Sequence, residues 1–167
     1  LARRGLGLTW PNPSVGCVIV DADGRVVGRA RTADGGRPHA ETQALAQAGS
    51  RALGGTAYVT LEPCAHMGKT PPCADALVAA GLARTVVAIE DPDPRTAGQG
   101  LARLREAGIA VTVGVRRAEA VEVTAGFLTR VLKGRPYFEL KTAMTLDGRI
   151  AAHNGASKWI TGEAARA

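Results

Sequence analysis

Aromatic residues are scarce in this chain: two each of Trp, Tyr and Phe make up 4% of its 167 residues. Proteins that bind single-stranded nucleic acid stack successive bases on aromatic side chains beside a basic groove, and so few aromatics leave little for such a platform. The core must be filled by Val, Ile, Leu and Ala, which is feasible with 46% apolar residues. No apolar run approaches the ~18 residues that span a bilayer, and no secretory h-region is visible, so no membrane partner is expected. Three cysteines are too few, and odd in number, for a disulfide framework, which makes a reducing cytoplasm the expected compartment. Lys and Arg outnumber Asp and Glu by 21 to 15, for a net charge of +6, yet the arginines are scattered and form no basic tract. That balance suits a phosphate-bearing small molecule or plain solubility better than nucleic acid. Internal repeats and low-complexity segments are also missing. Composition leaves open whether copies of the chain associate into a homo-oligomer.

What is present is a spaced set of metal ligands. His39-Ala40-Glu41 is followed by Pro63-Cys64 and then by Cys73. One imidazole and two thiolates are three corners of a tetrahedral zinc site; a structural site closes the fourth corner with protein, whereas a hydrolytic site leaves it to water. Glu41, two residues after the histidine, is the group available to move protons to and from that water. An H-x-E…P-C…C order is that of zinc nucleobase deaminases. His66 lies between the cysteines and is a rival fourth ligand, which would close the site. Cys17, inside the apolar run 15–20, reads as a small buried hydrophobe.

The elements around these residues follow from local signals. Residues 16–21 and 25–30 read as a hairpin turning at Asp23-Gly24. A helix is predicted over 40–48, ended by Gly49, and a buried strand over 56–61 delivers Glu62-Pro63-Cys64. A second helix spans 73–80, stopped by Gly81, and strands are predicted at 85–89 and 109–113. Leu101, Leu104 and Ala107 mark the face of the helix between those strands. Strand–helix alternation implies a largely parallel sheet covered on both faces, and the hairpin makes it mixed. A single amphipathic helix is predicted over 116–133, with Val121, Phe127, Leu128 and Val131 inward. Gly134-Arg135-Pro136 breaks it, and a domain boundary is placed there: 1–134, then 135–167. Tyr137 to Leu140 should begin a new strand, and Asp147-Gly148 a turn. The chain opens without Met, on what reads as a helix tail capped by Gly5 or Gly7, and closes on a helix just beginning at 163–167; it reads as a fragment. On this placement His39, Glu41, Cys64 and Cys73 all sit at or near helix starts, where partial positive charge favours thiolate and hydroxide.

Between Cys64 and Cys73 the run Ala65-His66-Met67-Gly68-Lys69-Thr70-Pro71-Pro72, preceded by Tyr58-Val59-Thr60-Leu61-Glu62-Pro63, resembles the deaminase domain of the bifunctional riboflavin-biosynthesis deaminase/reductases. Pro11-Asn12-Pro13-Ser14-Val15-Gly16 is similar to that family's early substrate-binding motif, and Asp91-Pro92-Asp93-Pro94 with Ala97-Gly98 to a loop of it, although Asp93 stands where many members carry Asn. Residues 140–149 and 157–161 resemble the opening of the reductase domain. The resemblance implies an α/β fold, a cytidine-deaminase-like three-layer α/β/α sandwich with a mixed sheet, followed by the start of a second α/β reductase domain. It implies zinc on His39, Cys64 and Cys73, with Glu41 as proton shuttle, and hydrolysis of the exocyclic amine of a phosphorylated diaminopyrimidinone. Substrate contacts are implied at Asn12, His66, Lys69, Thr70 and Ser157, with Lys69 suited to the phosphate. NADPH contacts are implied at Ala143 and Trp159 for a reductase that reduces ribosyl to ribityl. Thr32 stands where many relatives have His, which puts one local substrate contact in question. The 167 residues hold too little chain for a dinucleotide-binding sheet, so deamination without reduction is expected of them.

Two rival readings remain at this level. A tRNA or nucleobase/nucleoside deaminase would use the same zinc chemistry, with Trp10 able to approach the motif in space. A non-enzymatic structural zinc module would need a fourth protein ligand.

Overall fold

In the computed structural model, which describes residues 1–158 and 162–165, the chain divides into two compact units, Leu1–Tyr137 and Phe138–Ala167. Among the described residues of the first unit, five strands form one sheet in the order β2-β1-β3-β4-β5. β1 (Gly16–Val20) and β2 (Val26–Arg31) are antiparallel, with a register shift between Ile19 and Val20. Their turn is set by the Asp21 carboxylate, which accepts from the N–H groups of Asp23 and Arg25, and by Gly24 at φ 82°. β1 also pairs antiparallel with β3 (Thr56–Val59), and β4 (Arg84–Val87) and β5 (Ala110–Val113) extend the sheet in parallel. The predicted mixed sheet is therefore present.

One face of the sheet carries Cys17, Ile19, Ala57, Val59 and Val87, all buried. Packed on that side are α1 (Ala40–Ala48), α2 (Cys73–Ala79) and α3 (Gln99–Glu106). α1 lies close on the hairpin because Ala40, Ala44 and Ala48 form a stripe of small buried side chains. The approach is tight enough that a Cβ on Gly28 would stand 2.1 Å from the carbonyl oxygen of Ala44. Gly49 and Gly81, both at positive φ, follow α1 and α2 as predicted. On the opposite face, α4 (Arg117–Val123) sets Ala120 and Val123 beside Val18, Tyr58 and Val86, giving the third layer.

Four expectations need correction. The helix predicted over 116–133 is two helices, α4 and α5 (Ala125–Lys133), parted at Thr124. The Thr124 hydroxyl donates to the Ala120 carbonyl at 2.7 Å, and such back-bonding bends a helix. The change of axis turns Val121 outward and puts Ala120 and Thr124 inside. Ala107 is the exposed C-cap of α3 and not part of its buried face. At the N-terminus a 3-10 turn, Ala2–Gly5, is closed at Leu6. Finally, Tyr137 to Leu140 form no strand: a strand needs a neighbour for its N–H and C=O groups, and none exists among the described residues of the second unit. That unit does contain the expected turn, with Gly148 at φ 76° and its N–H on the Thr145 carbonyl. Among the described residues, no helix is long and apolar enough to cross a membrane.

The α1–hairpin contact is directly testable. Gly28→Ala should cost about 1–3 kcal/mol, the usual range for overpacking, because its Cβ meets backbone and not a flexible side-chain end. Urea unfolding followed by far-UV circular dichroism should show a lower midpoint with an unchanged slope.

Candidate metal centre and active site

Three segments deliver the site. His39 is the N-cap of α1, with extended backbone and no side-chain capping bond, so its imidazole is free to turn toward the sheet end. β3 runs out into Glu62-Pro63-Cys64, and α2 begins at Cys73. The Cys73 N–H donates to Cys64 Sγ at 3.3 Å, which ties the two ends of the insert together. His39 Nδ1 lies 3.3 Å from Cys73 Sγ and 3.7 Å from Cys64 Sγ, and the three potential ligand atoms all fall within 4.8 Å of one another. Tetrahedral zinc with N and S bonds of roughly 2.0–2.3 Å needs N···S separations of about 3.5 Å, so the spacing fits that metal.

The electrostatics fit as well. Cys64 is held down to about 4, by the hydrogen bond from Cys73 and then by His39. Cys73 is pushed far up, by sharing its proton with Cys64, by burial and by Glu41. The hydrogen bond to Cys64 raises His39 against the opposing effect of burial. These side chains together form a set too rich in negative charge to ionise fully, which a divalent cation relieves. Glu41, on the first turn of α1, is 2% exposed, and burial lifts its carboxyl to about 7. Its Oε2 and the Nε2 of His39 have no hydrogen-bond partner among the described residues. A buried carboxyl oxygen without a protein partner is costly and is available for a ligand.

His39, Glu41 and Cys64 open on a cleft of about 330 Å³ also lined by Asn12, Arg37, Glu62, His66, Asp91, Asp93, Arg95, Thr96 and Arg130, with Cys73 behind its surface. Two other hollows, of about 360 and 560 Å³, contain none of His39, Glu41, Cys64 and Cys73. His66 reaches the cleft but does not join the ligand cluster; its Nδ1 is 3.4 Å from Thr96 Oγ1. No fourth protein ligand completes the site among the described residues. Asn12 lines the cleft and donates from Nδ2 to the Gly36 carbonyl at 2.7 Å. Lys69 and Thr70 are exposed on the insert and are not cleft-lining; Thr70 Oγ1 accepts from Arg37 Nη1 at 2.8 Å. Ser157 and Ala143 are exposed in the second unit, and Trp159 lies outside the described residues.

The two departures from the family pattern acquire a structural account. Thr32 is 1% exposed, and its hydroxyl donates to the Pro13 carbonyl and accepts from the Val15 N–H; it braces the segment that carries Asn12. Asp93 pairs with the Arg95 guanidinium, which holds its carboxyl down to about 2. Sequence reasoning missed Arg37, Arg95 and Arg130 as cleft residues, since scattered arginines carry no local signal. It also passed over Glu62, although its place beside Pro63-Cys64 was a clue.

Comparisons with known proteins agree with this geometry. The family model for the cytidine and deoxycytidylate deaminase zinc-binding region matches residues 1–89, and that for the RibD C-terminal domain matches residues 136–167. The chain is 54% identical over 166 residues to the riboflavin biosynthesis protein RibD of Escherichia coli, covering 99% of this chain and 45% of that protein. Among solved structures it is similar to Acinetobacter baumannii RibD (54% identity, TM-score 0.86, covering 99% of this chain and 46% of that one). It is also similar to a diaminohydroxyphosphoribosylaminopyrimidine deaminase/5-amino-6-(5-phosphoribosylamino)uracil reductase from Thermotoga maritima (44% identity, TM-score 0.90, covering 98% and 47%). The chain thus spans a little under half the length of these relatives. With the zinc-binding region matched across every candidate ligand, and the same fold in both structures, the chain belongs to the cytidine and deoxycytidylate deaminase zinc-binding family.

Proposed function

We propose that residues 1–134 form a zinc-dependent deaminase domain of riboflavin biosynthesis that hydrolyses the exocyclic amine of a diaminopyrimidinone carrying a phosphoribosylamino group. The observation that carries this reading is the convergence of His39, Cys64 and Cys73 beside the buried, unpartnered Oε2 of Glu41 at the floor of one cleft. Similarity to RibD over 99% of the chain supports the substrate class. His39 Nδ1 and the sulfurs of Cys64 and Cys73 would hold zinc, whose chemistry when bound would be to activate water at neutral pH. Glu41 would take one proton of the attacking water at Oε2 and pass it to the ring nitrogen, then take the second proton from the added hydroxyl and give it to the exocyclic amine, which leaves as ammonia. Asn12 keeps Oδ1 free for a pyrimidine N–H donor, since its Nδ2 is committed to Gly36. His66 lies on the cleft wall, where it serves as a substrate contact. Arg37 ties the insert to that wall through Thr70, next to Lys69, which we assign to the phosphate.

Residues 135–167 are the beginning of a reductase domain on this reading, supported by the match at 136–167. In the full-length protein that domain reduces ribosyl to ribityl with NADPH, with Ala143 and Trp159 toward the cofactor and Ser157 toward the substrate. The free thiols of the site require a reducing compartment, and we place the protein in the cytoplasm. Trp10 is exposed and has Arg130 at 5.6 Å, but one aromatic does not make a stacking platform, and we assign no nucleic-acid substrate.

Glu41→Gln should keep stoichiometric zinc while ammonia release falls by ~10²–10⁴-fold, the usual loss for a positioned acid/base. Near-normal turnover would remove Glu41 from that role. Lys69→Ala should raise KM more than it lowers kcat, because a phosphate contact exists before and during reaction. Dephosphorylated substrate should show a similar loss on the native protein and little further loss on the variant; independent, multiplicative losses would mean that Lys69 and the phosphate do not meet.

A further inference from the structure

We propose that Glu62 is a positioning residue: its buried carboxylate clamps the wall formed by residues 91–98 against the segment that carries Cys64. Glu62 is 3% exposed, and four backbone N–H groups point at its two oxygens. Oε2 accepts from Asp91 and Gly98, both at 3.0 Å, and Oε1 accepts from Gly100 at 2.9 Å and Leu101 at 3.2 Å. The four donors belong to the loop leaving β4 and to the first turn of α3, whereas Glu62 belongs to the loop leaving β3. One side chain therefore joins the carboxyl ends of two adjacent parallel strands, the place where open α/β sheets bind ligands.

α3 has no side-chain cap of its own. Its N-cap is Gly98, at φ 80°; of the N–H groups orphaned at the helix start, that of Gln99 donates to the Thr96 carbonyl, whereas those of Gly98, Gly100 and Leu101 go to this distant carboxylate, whose negative charge also suits a helix N-terminus. Gly100 completes the joint. A Cβ there would stand 2.1 Å from the Pro63 carbonyl oxygen, so the first turn of α3 sits directly on the Pro63-Cys64 peptide. The loop thus held in place presents Asp91, Asp93, Arg95 and Thr96 to the cleft, with Thr96 against His66. Resting on the deaminase reading, the consequence is that Glu62, which lines the cleft itself but has two backbone N–H donors on each oxygen, acts by setting the distance between the metal-ligand segment and the wall of residues 91–98.

The test is Glu62→Gln, with Glu62→Asp as the milder variant, in the full-length zinc-loaded protein. The glutamine turns an NH2 toward one of the two N–H pairs and frees the loop on that side, while Cys64 keeps its place. Zinc stoichiometry should be unchanged. Hydrogen exchange should accelerate in peptides covering residues 91–101 and not in the sheet or α1. KM should rise on the order of 10–100-fold, the scale of a small misplacement, and kcat should fall by less. Faster exchange with unchanged kinetic constants would reduce Glu62 to a structural residue, and loss of zinc in both variants would show that it serves the metal and not the wall; either result overturns the proposal. A native protein that releases no ammonia from the pyrimidine would sink the deaminase reading by itself. The clamp is then judged by exchange alone, and unchanged exchange over 91–101 overturns it.

Discussion

The approach of α1 to the β1–β2 hairpin is the contact on which the site depends. α1 carries His39 at its N-cap and Glu41 in its first turn, so its distance from the sheet sets how far both groups reach toward the ends of β3 and α2. That distance is short because no side chain fills it: Gly28 has no Cβ and the facing helix stripe is Ala40, Ala44 and Ala48. Close backbone approach at small residues gains dispersion contacts with little side-chain entropy to lose. Larger residues at these positions would lift α1 and move its two functional side chains away from the cysteines.

On that frame the electrostatics are built by burial. Cys73 and Glu41 are almost fully removed from water, and Cys64 and His39 partly so. Two thiols and a carboxyl in one low-dielectric place cannot all ionise without a cation, which is why Cys64 and Cys73 titrate in opposite directions. The same burial that makes the donor set suited to a divalent metal leaves Glu41 with a free oxygen facing the cleft. Farther out, the cleft wall is organised by side chains that bond to backbone: Thr32 to Pro13 and Val15, Asn12 to Gly36, and Glu62 to four amides. The cations of the wall differ in their partners. Arg95 is spent on Asp93, whereas Arg130 lies over Trp10 and Phe127.

Much of this was legible from short stretches of chain. Asp23-Gly24, Gly49 and Gly81 mark a turn and two helix ends by the positive φ that only glycine adopts freely, and each stands where expected. The Ala-rich run after His39 is a good helix former, and the His-x-Glu and Pro-Cys signals name the donors. The misreadings have separate causes. Residues 116–133 have a continuous apolar period, but the Thr124 hydroxyl competes for the Ala120 carbonyl and splits the helix, so Val121 and Ala120 exchange sides. Residues 137–140 have strand composition without a strand to pair with among the described residues.

By itself, then, the sequence determined the donor types, their order, the starts and stops of the elements that carry them, and the mixed sheet, because capping, glycine conformation and hydrophobic period each act within a few residues. Tertiary structure alone decided who meets whom. It turned His66 toward Thr96 and away from the ligand cluster, directed the Thr32 hydroxyl to backbone, and brought Arg37 to Thr70 across 33 residues and Glu62 to Leu101 across 39. A polar side chain in an interior bonds to whatever the fold places within about 3 Å, and that neighbour is set by the packing of remote segments.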